Sequence, residues 1–385
     1  MHRLPFSIAG VSGIVPLARG PGGDEGYWLF VRRKRAMLLL RADSPDGAYA
    51  IVREWTAVEL RESSWESRLV AGAESIPLGA IEAQRIAWLL RERVSPPPPP
   101  HACERAAALP ALPRPTRSLS ELGWSTLVAP ELDPIVRGVA MQLWPSVLSL
   151  LVRPDESLGL LPKHLVDPLT STITFVRSFG FAAKALGNVQ PRLFVRTDIQ
   201  GGLTHVPAWP LASFCGATLL SGFEPLELLF VCGQHLAMAR PELYLATLIV
   251  HPNELAVLLG ASLRLAARVS PDDRYDALAR KIATKIRPPQ VHAIRELWAR
   301  VDLAPAGDDL HRALEHVAQR WLFGVALTAA RAGLLVTDDL AAAVRMLERL
   351  PPLSGARVTG AHLARFWLSD EHRTLRDAIG LRPRG

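Results

Sequence analysis

Cysteine is scarce in this chain. Cys103, Cys215 and Cys232 are the three present in 385 residues. They form no C-x-x-C pair and no disulfide framework, so a stapled secreted scaffold is excluded and a reducing compartment fits. Long uninterrupted apolar runs are also missing. Val139–Val152 contains Gln142 and Pro145, and Leu243–Val269 is broken by His251-Pro252-Asn253-Glu254. Neither supplies the ~20 apolar residues of a membrane-spanning helix. Met1–Gly10 lacks a charged start followed by a long apolar stretch, so no signal peptide is expected and the chain reads as cytoplasmic. Gly201-Gly202 is followed by no G-K-[ST], and there is no G-x-S-x-G elbow. Lysine is rare as well. The basic residues are nearly all arginine and Ala and Leu abound, a composition that suits a GC-rich bacterial genome.

What is present describes a globular protein with long loops. Hydrophobic residues make up 49% and charged residues 21%, and there are 32 prolines. A chain of this length can bury two or three cores. Net charge is +7, which permits attraction to nucleic acid or anionic lipid. The cations are scattered among acids, however, and Arg32-Arg33-Lys34-Arg35 is the one tight cluster. No zinc-finger spacing, RNP-like aromatic run or basic-region heptad accompanies it. Nucleic acid is therefore not expected as a partner, and an anionic membrane surface is the weaker option.

The organisation is visible in composition. Tyr27–Val31, Ala36–Leu40 and Tyr49–Val52 are short apolar or alternating runs, extended by Trp55–Leu60 and Trp65–Val70, and turn signals separate them. Ile81–Arg93 follows with helical spacing. Strands closed by one helix resemble a pleckstrin-homology-like (PH-like) module over residues 1–93. In such a fold the Arg32, Arg33, Lys34, Arg35 loop would be a site for an anion; a solvated hairpin turn is the blander reading. Pro96–Pro100 and the prolines after it mark a linker over 94–118. From 119 to 385 the pattern is mainly helical. The expected helices are Pro130–Val152, Phe175–Leu186, Leu226–Arg240, Pro252–Arg268, Tyr275–Lys285, Gln290–Val301, Asp308–Thr328, Thr337–Leu350 and Gly360–Phe366, with a small sheet or hairpin near Leu193–Val206. The fold class expected is α+β.

The stretch Glu227–Glu242 carries the sharpest signal. A helix bearing H-E-x-x-H sets two histidines on one face to hold zinc, with a glutamate between them to activate water. Aligned on its flanks, this helix has Gln234 at the first histidine position, His235 at the glutamate and Met238 at the second histidine. The order before it is an amphipathic helix at Phe175–Leu186, an extended run at Val189–Arg196, a polar Gly-rich hairpin signal at Thr197–Thr204, then Ala217–Phe223 and an acidic helix start at Glu224. That order resembles the M48 family of zinc metallopeptidases over roughly Leu165–Leu350. The family takes a third zinc ligand from a glutamate in E-x-x-A-D on a later helix. The matching frame, Ala326–Leu335, has Ala326 at the glutamate and Ala330 at the aspartate. The resemblance thus implies a degenerate zincin-like domain with no catalytic residue, no metal and no cofactor. Its two landmark helices would pack side by side, with Gln234, Met238 and Ala326 facing one another.

Two readings follow. In the first, a pseudopeptidase acts as a non-catalytic binding or scaffold component with a protein partner. In the second, a divergent metal-dependent hydrolase draws ligands from other histidines, such as His205, His251 or His292. The convergence of His205, His235 and His251 would decide between them. His311 and His316 are five residues apart on a helix and do not converge on one metal. His235 and Glu242, seven apart, would share a face if one helix ran through both.

Overall fold

In the computed structural model of the chain, the described residues are 13–19, 25–33, 36–42 and 114–381, apart from 188–189, 270–271, 302–309, 353–356 and 368–369. The chain divides into two units between Leu112 and Pro113. In the first unit, β1 (Gly13–Arg19), β2 (Glu25–Arg33) and β3 (Ala36–Ala42) form an antiparallel sheet in the order β1-β2-β3. Leu29 lies opposite Leu40, and Arg33 opposite Ala36. β2 and β3 contain the runs Tyr27–Val31 and Ala36–Leu40; β1 was not among the expected strands. The expected strands from Tyr49 onward, the helix Ile81–Arg93 and the proline run Pro96–Pro100 lie outside the described residues.

The second unit is mainly helical with a small mixed four-stranded sheet, an α+β arrangement. It begins with α1 (Glu121–Leu127) and α2 (Pro134–Leu151). Asp133 caps α2 by accepting the Ile135 and Val136 N–H groups, and Pro134 stands at the first position, where no N–H is needed. β4 (Leu165–Val166) precedes α3 (Thr174–Leu186), and β5 (Arg192–Val195), β6 (Leu203–Val206) and β7 (Ala212–Cys215) follow. The sheet order is β4-β5-β7-β6. β5 pairs parallel with β7, and β6 pairs antiparallel with β7. The polar segment Thr197–Thr204 is therefore not a hairpin turn: β7, which no pattern in the sequence marked, lies between β5 and β6.

Nine helices complete the unit. They are α4 (Pro225–Ala237), α5 (Pro241–Leu248), α6 (Pro252–Leu265), α7 (Asp273–Ala283), α8 (Pro288–Trp298), α9 (Leu310–Thr337), α10 (Leu340–Arg349), α11 (Gly360–Trp367) and α12 (Asp370–Ala378); that makes twelve among the described residues. α4 stops short of the expected Arg240. Arg240 takes an extended ψ of 140° ahead of Pro241, as a residue before proline does, and α5 starts afresh. Glu242 is therefore on a different helix from His235. The expected break between Thr328 and Thr337 is absent. One 28-residue helix runs through it and turns at Asp338, where φ is +56°. Asp339 then caps α10 by accepting the Ala342 N–H at 2.8 Å.

α9 is the axis of the unit. From Trp321 to Thr337 it is buried on nearly every side. Its heaviest packing is against α4, and then α6. Phe175 and Phe179 from α3, Phe230 from α4, Tyr244 from α5 and Trp321 are among the largest fully buried side chains. Each such ring or aliphatic group contributes roughly 1.5–3 kcal/mol by leaving water.

Candidate functional site at the crossing of α4 and α9

α4 is fixed at its start by a buried charge. Glu224 is the N-cap and Glu227 its reciprocal partner, whose carboxylate accepts the Glu224 N–H at 3.0 Å. Glu227 is 5% exposed. It also accepts from Arg345 Nε on α10 at 2.8 Å, with Arg349 at 3.9 Å. Burial pushes its carboxyl up, but the Arg345 hydrogen bond, the Glu224 N–H and the two arginine charges outweigh this and hold it below the ordinary range.

Two glycines let α4 and α9 cross at backbone distance. A Cβ on Gly233 would lie 2.9 Å from Gly333 Cα. A Cβ on Gly333 would lie 2.6 Å from the Phe230 carbonyl oxygen. Neither helix tolerates a side chain there, so the neighbouring residues are held in tight register.

Beside this crossing lies a pocket of about 380 Å³. Gln234 from α4 and Ala326 from α9 both line it, with Met346, Leu350, Arg357 and Val358. Gln234 is partly exposed; Ala326 and Ala330 are buried, one turn apart on α9. Met238 follows the last residue of α4 and is buried. It is not among the residues lining the pocket. Two of the three positions aligned with zinc ligands thus share one cavity. An amide and a methyl group supply no converging donor set for zinc, and the residues present do not fit the metal.

His235 turns to the sheet. Its Nε2 lies 2.7 Å from Ser213 Oγ on β7. Its ring stacks on His205 of β6, with centroids 3.7 Å apart and planes within 6°. His205 Nε2 donates to the His235 carbonyl at 3.0 Å. That bond leaves the buried His205 Nδ1 as the acceptor nitrogen, without a hydrogen-bond partner. Burial pushes His205 down to about 4. Burial and the facing His205 push His235 well down too. Both shifts favour the neutral rings, and the face contact opposes charging both at once. A buried neutral histidine bonded to a serine is a structural joint between sheet and helix.

The other sequence candidates fall into place individually. His251 is the exposed N-cap residue of α6, and His292 is exposed on α8. Among the described residues no three His, Cys, Asp or Glu side chains converge as a metal-binding group. His311 is placed by Tyr275 and Asn253, its Nε2 lying 2.9 Å from Asn253 Oδ1. Glu242 accepts from Arg240 at 2.6 Å, and the same guanidinium reaches Glu121 at 2.8 Å and covers the Trp124 ring. Cys215 and Cys232 are free and buried, and burial pushes the Cys215 thiol up to about 12. Arg32 and Arg33 are the last residues of β2; Lys34, Arg35 and Cys103 lie outside the described residues. Of His205, His235 and His251, whose convergence the sequence left open, the first two stack and His251 is not part of the stack. Sequence reasoning missed Ser213 and the Arg345–Glu227 pair. Their only trace was polar residues set in apolar runs.

Comparison with known proteins finds no match to this chain among family models, curated proteins or solved structures.

Proposed function

We propose that this chain is a non-catalytic pseudopeptidase: a binding or scaffold protein whose second unit is a zincin-like domain resembling the M48 peptidases without their chemistry. One observation carries the reading. At the crossing of α4 and α9, Gln234 and Ala326 share a pocket at positions where the resemblance would set a histidine and a glutamate. Metal-assisted hydrolysis needs converging ligands and a positioned base. Here the side chain at the base position, His235, is neutral, buried and bonded to Ser213. What remains useful is a preformed cavity on a rigid helix pair, suited to holding a protein partner in a reducing, cytoplasmic setting. The first unit would then be a PH-like accessory module, with Arg32–Arg35 as its anion contact.

The test is elemental analysis of the purified full chain together with a peptidase assay. The expected result is less than stoichiometric zinc and no cleavage. One zinc per chain, lost in His235→Ala, would overturn the reading and favour the divergent hydrolase.

A further inference from the structure

Away from that crossing, α6, α7 and α8 enclose a second, more open groove of about 410 Å³. Leu265, Ala283, Ile286 and Val291 supply its apolar surface, and His292 and Arg295 also line it. The walls are held independently of any ligand. Trp298 Nε1 donates to the buried Ser262 Oγ at 2.9 Å, tying α8 to α6. Gln290 Nε2 donates to the Gln142 carbonyl at 2.9 Å, tying α8 to α2. A preformed groove does not charge its ligand for ordering the walls.

The charge around it is one-sided. From Arg280 to Arg300 the chain carries Arg280, Lys281, Lys285, Arg287, Arg295 and Arg300 against the single carboxylate Glu296. Among the described residues none of these six cations enters an ion pair. Of the acids at the start of α7, Asp276 pairs with Arg264 at 2.6 Å and the N-cap Asp272 with Arg274 at 2.8 Å, while Asp273 stands in the first turn, at the opposite end of α7 from Ala283. Arg280 lies three residues before Ala283, on the same face of α7. Arg287 is the N-cap of α8, next to the first turn that lines the groove. Arg295 lies one turn beyond Val291 on α8.

We infer that this groove docks an acidic segment of a partner protein. One apolar side chain of that segment enters between α7 and α8, and its carboxylates pair with Arg280, Arg287 and Arg295. Arginine forks match carboxylates two bonds at a time. The shape favours a peptide over a lipid surface. A bilayer takes up apolar residues that protrude, whereas Leu265, Ile286 and Val291 are only partly exposed, between the exposed Arg280, Arg287 and Arg295. The volume is at the small end of the roughly 300–1,000 Å³ range of ligand pockets, room for a side chain or two. This surface extends the binding role proposed above and does not depend on the peptidase resemblance.

The full chain can be titrated, by fluorescence anisotropy, into a fluorescein-labelled Asp/Glu-rich peptide carrying one tryptophan. A second peptide has glycine in place of the tryptophan, and phosphatidylserine vesicles form a third arm. The expected result is saturable binding of the first peptide that weakens with salt and drops roughly tenfold or more in Arg287→Glu/Arg295→Glu. Ala283→Trp, which fills the groove from an exposed position, should abolish the preference for the tryptophan peptide. Circular dichroism checks that each variant is folded. Equal binding of both peptides would reduce the effect to bulk charge and overturn the proposal. So would undiminished binding by either folded variant, or vesicle binding without peptide binding.

Discussion

Replacing Gly333 with alanine adds one methyl group where α4 crosses α9, and the structure states what that group meets. The new Cβ would lie 2.6 Å from the Phe230 carbonyl oxygen, 2.8 Å from Phe230 Cδ2 and 3.0 Å from Cε2. Two effects oppose each other. Alanine in place of a mid-helix glycine favours the helix by about 1 kcal/mol. Overpacking costs typically ~1–3 kcal/mol, and more where nothing can move aside. The Phe230 ring could turn, but its carbonyl oxygen belongs to the α4 backbone, so relief requires the two most heavily packed helices to separate. The cost belongs at or above the upper end, and the net loss is about 2 kcal/mol or more. For a domain of this size that lowers Tm by roughly 4–8 °C. Thermal unfolding followed by circular dichroism reads it directly. Gly201→Ala is the control, since nothing lies within 4 Å of a Cβ there; it should melt near the wild-type temperature. If Gly333→Ala melts at or above wild type, the crossing is not the close contact described and the reasoning fails.

The remaining predictions concern charge and the former ligand positions. His205 and His235 titrate below their ordinary value when folded, so the unfolded chain binds protons first. Stability should fall as pH drops through about 6.5 toward about 4, and urea midpoints at pH 7.5 and 5 should differ less in His205→Phe than in wild type. Arg345→Ala should destabilise more than Glu227→Gln, because Glu227 is 7% exposed at its side chain and Arg345 52%. The first change strands a buried carboxylate and the second leaves a solvated guanidinium; the reverse order in chemical denaturation would contradict the assignment. Ser213→Ala leaves a buried ring nitrogen of His235 without its 2.7 Å partner and should cost about 1–3 kcal/mol, measured by the same denaturation. Finally, Gln234→His/Met238→His/Ala326→Glu should take up no stoichiometric zinc by elemental analysis, because Met238 lies outside the pocket that Gln234 and Ala326 share. One zinc per folded chain would show that the three positions do surround a common point.

Much of the helical layout was legible because α3, α7 and α10 keep one apolar face against a polar one. α9 was not, for a physical reason: a helix buried on all sides carries no stripe, so Ala329–Val336 read as a gap between two elements. The α4–α5 break at Pro241 was legible, since the expected helix ends at Arg240, but α5 itself was not among the expected helices. β7 escaped notice because Ala212–Cys215 is too short to show alternation. The candidate site was half legible. Gln234 and Ala326 could be paired from motif spacing, but the partner of His235 could not, since Ser213 is brought to it by a strand pairing that no local pattern specifies.

The strand order β4-β5-β7-β6 bears on how the unit assembles. β6 leaves the chain before β7, yet it has no hydrogen-bonded neighbour in the sheet except β7. The β6–β7 pair is a local antiparallel hairpin, with Val206 opposite Ala212, and can form as soon as both strands exist. Joining that hairpin to β5 closes the longer loop and is the slower, non-local step. Amide hydrogens of β6 donated to β7 should accordingly gain protection no later than β5 and β7 join, and the histidine stack, which needs α4 as well as the hairpin, would close last, as the latch on a sheet already built.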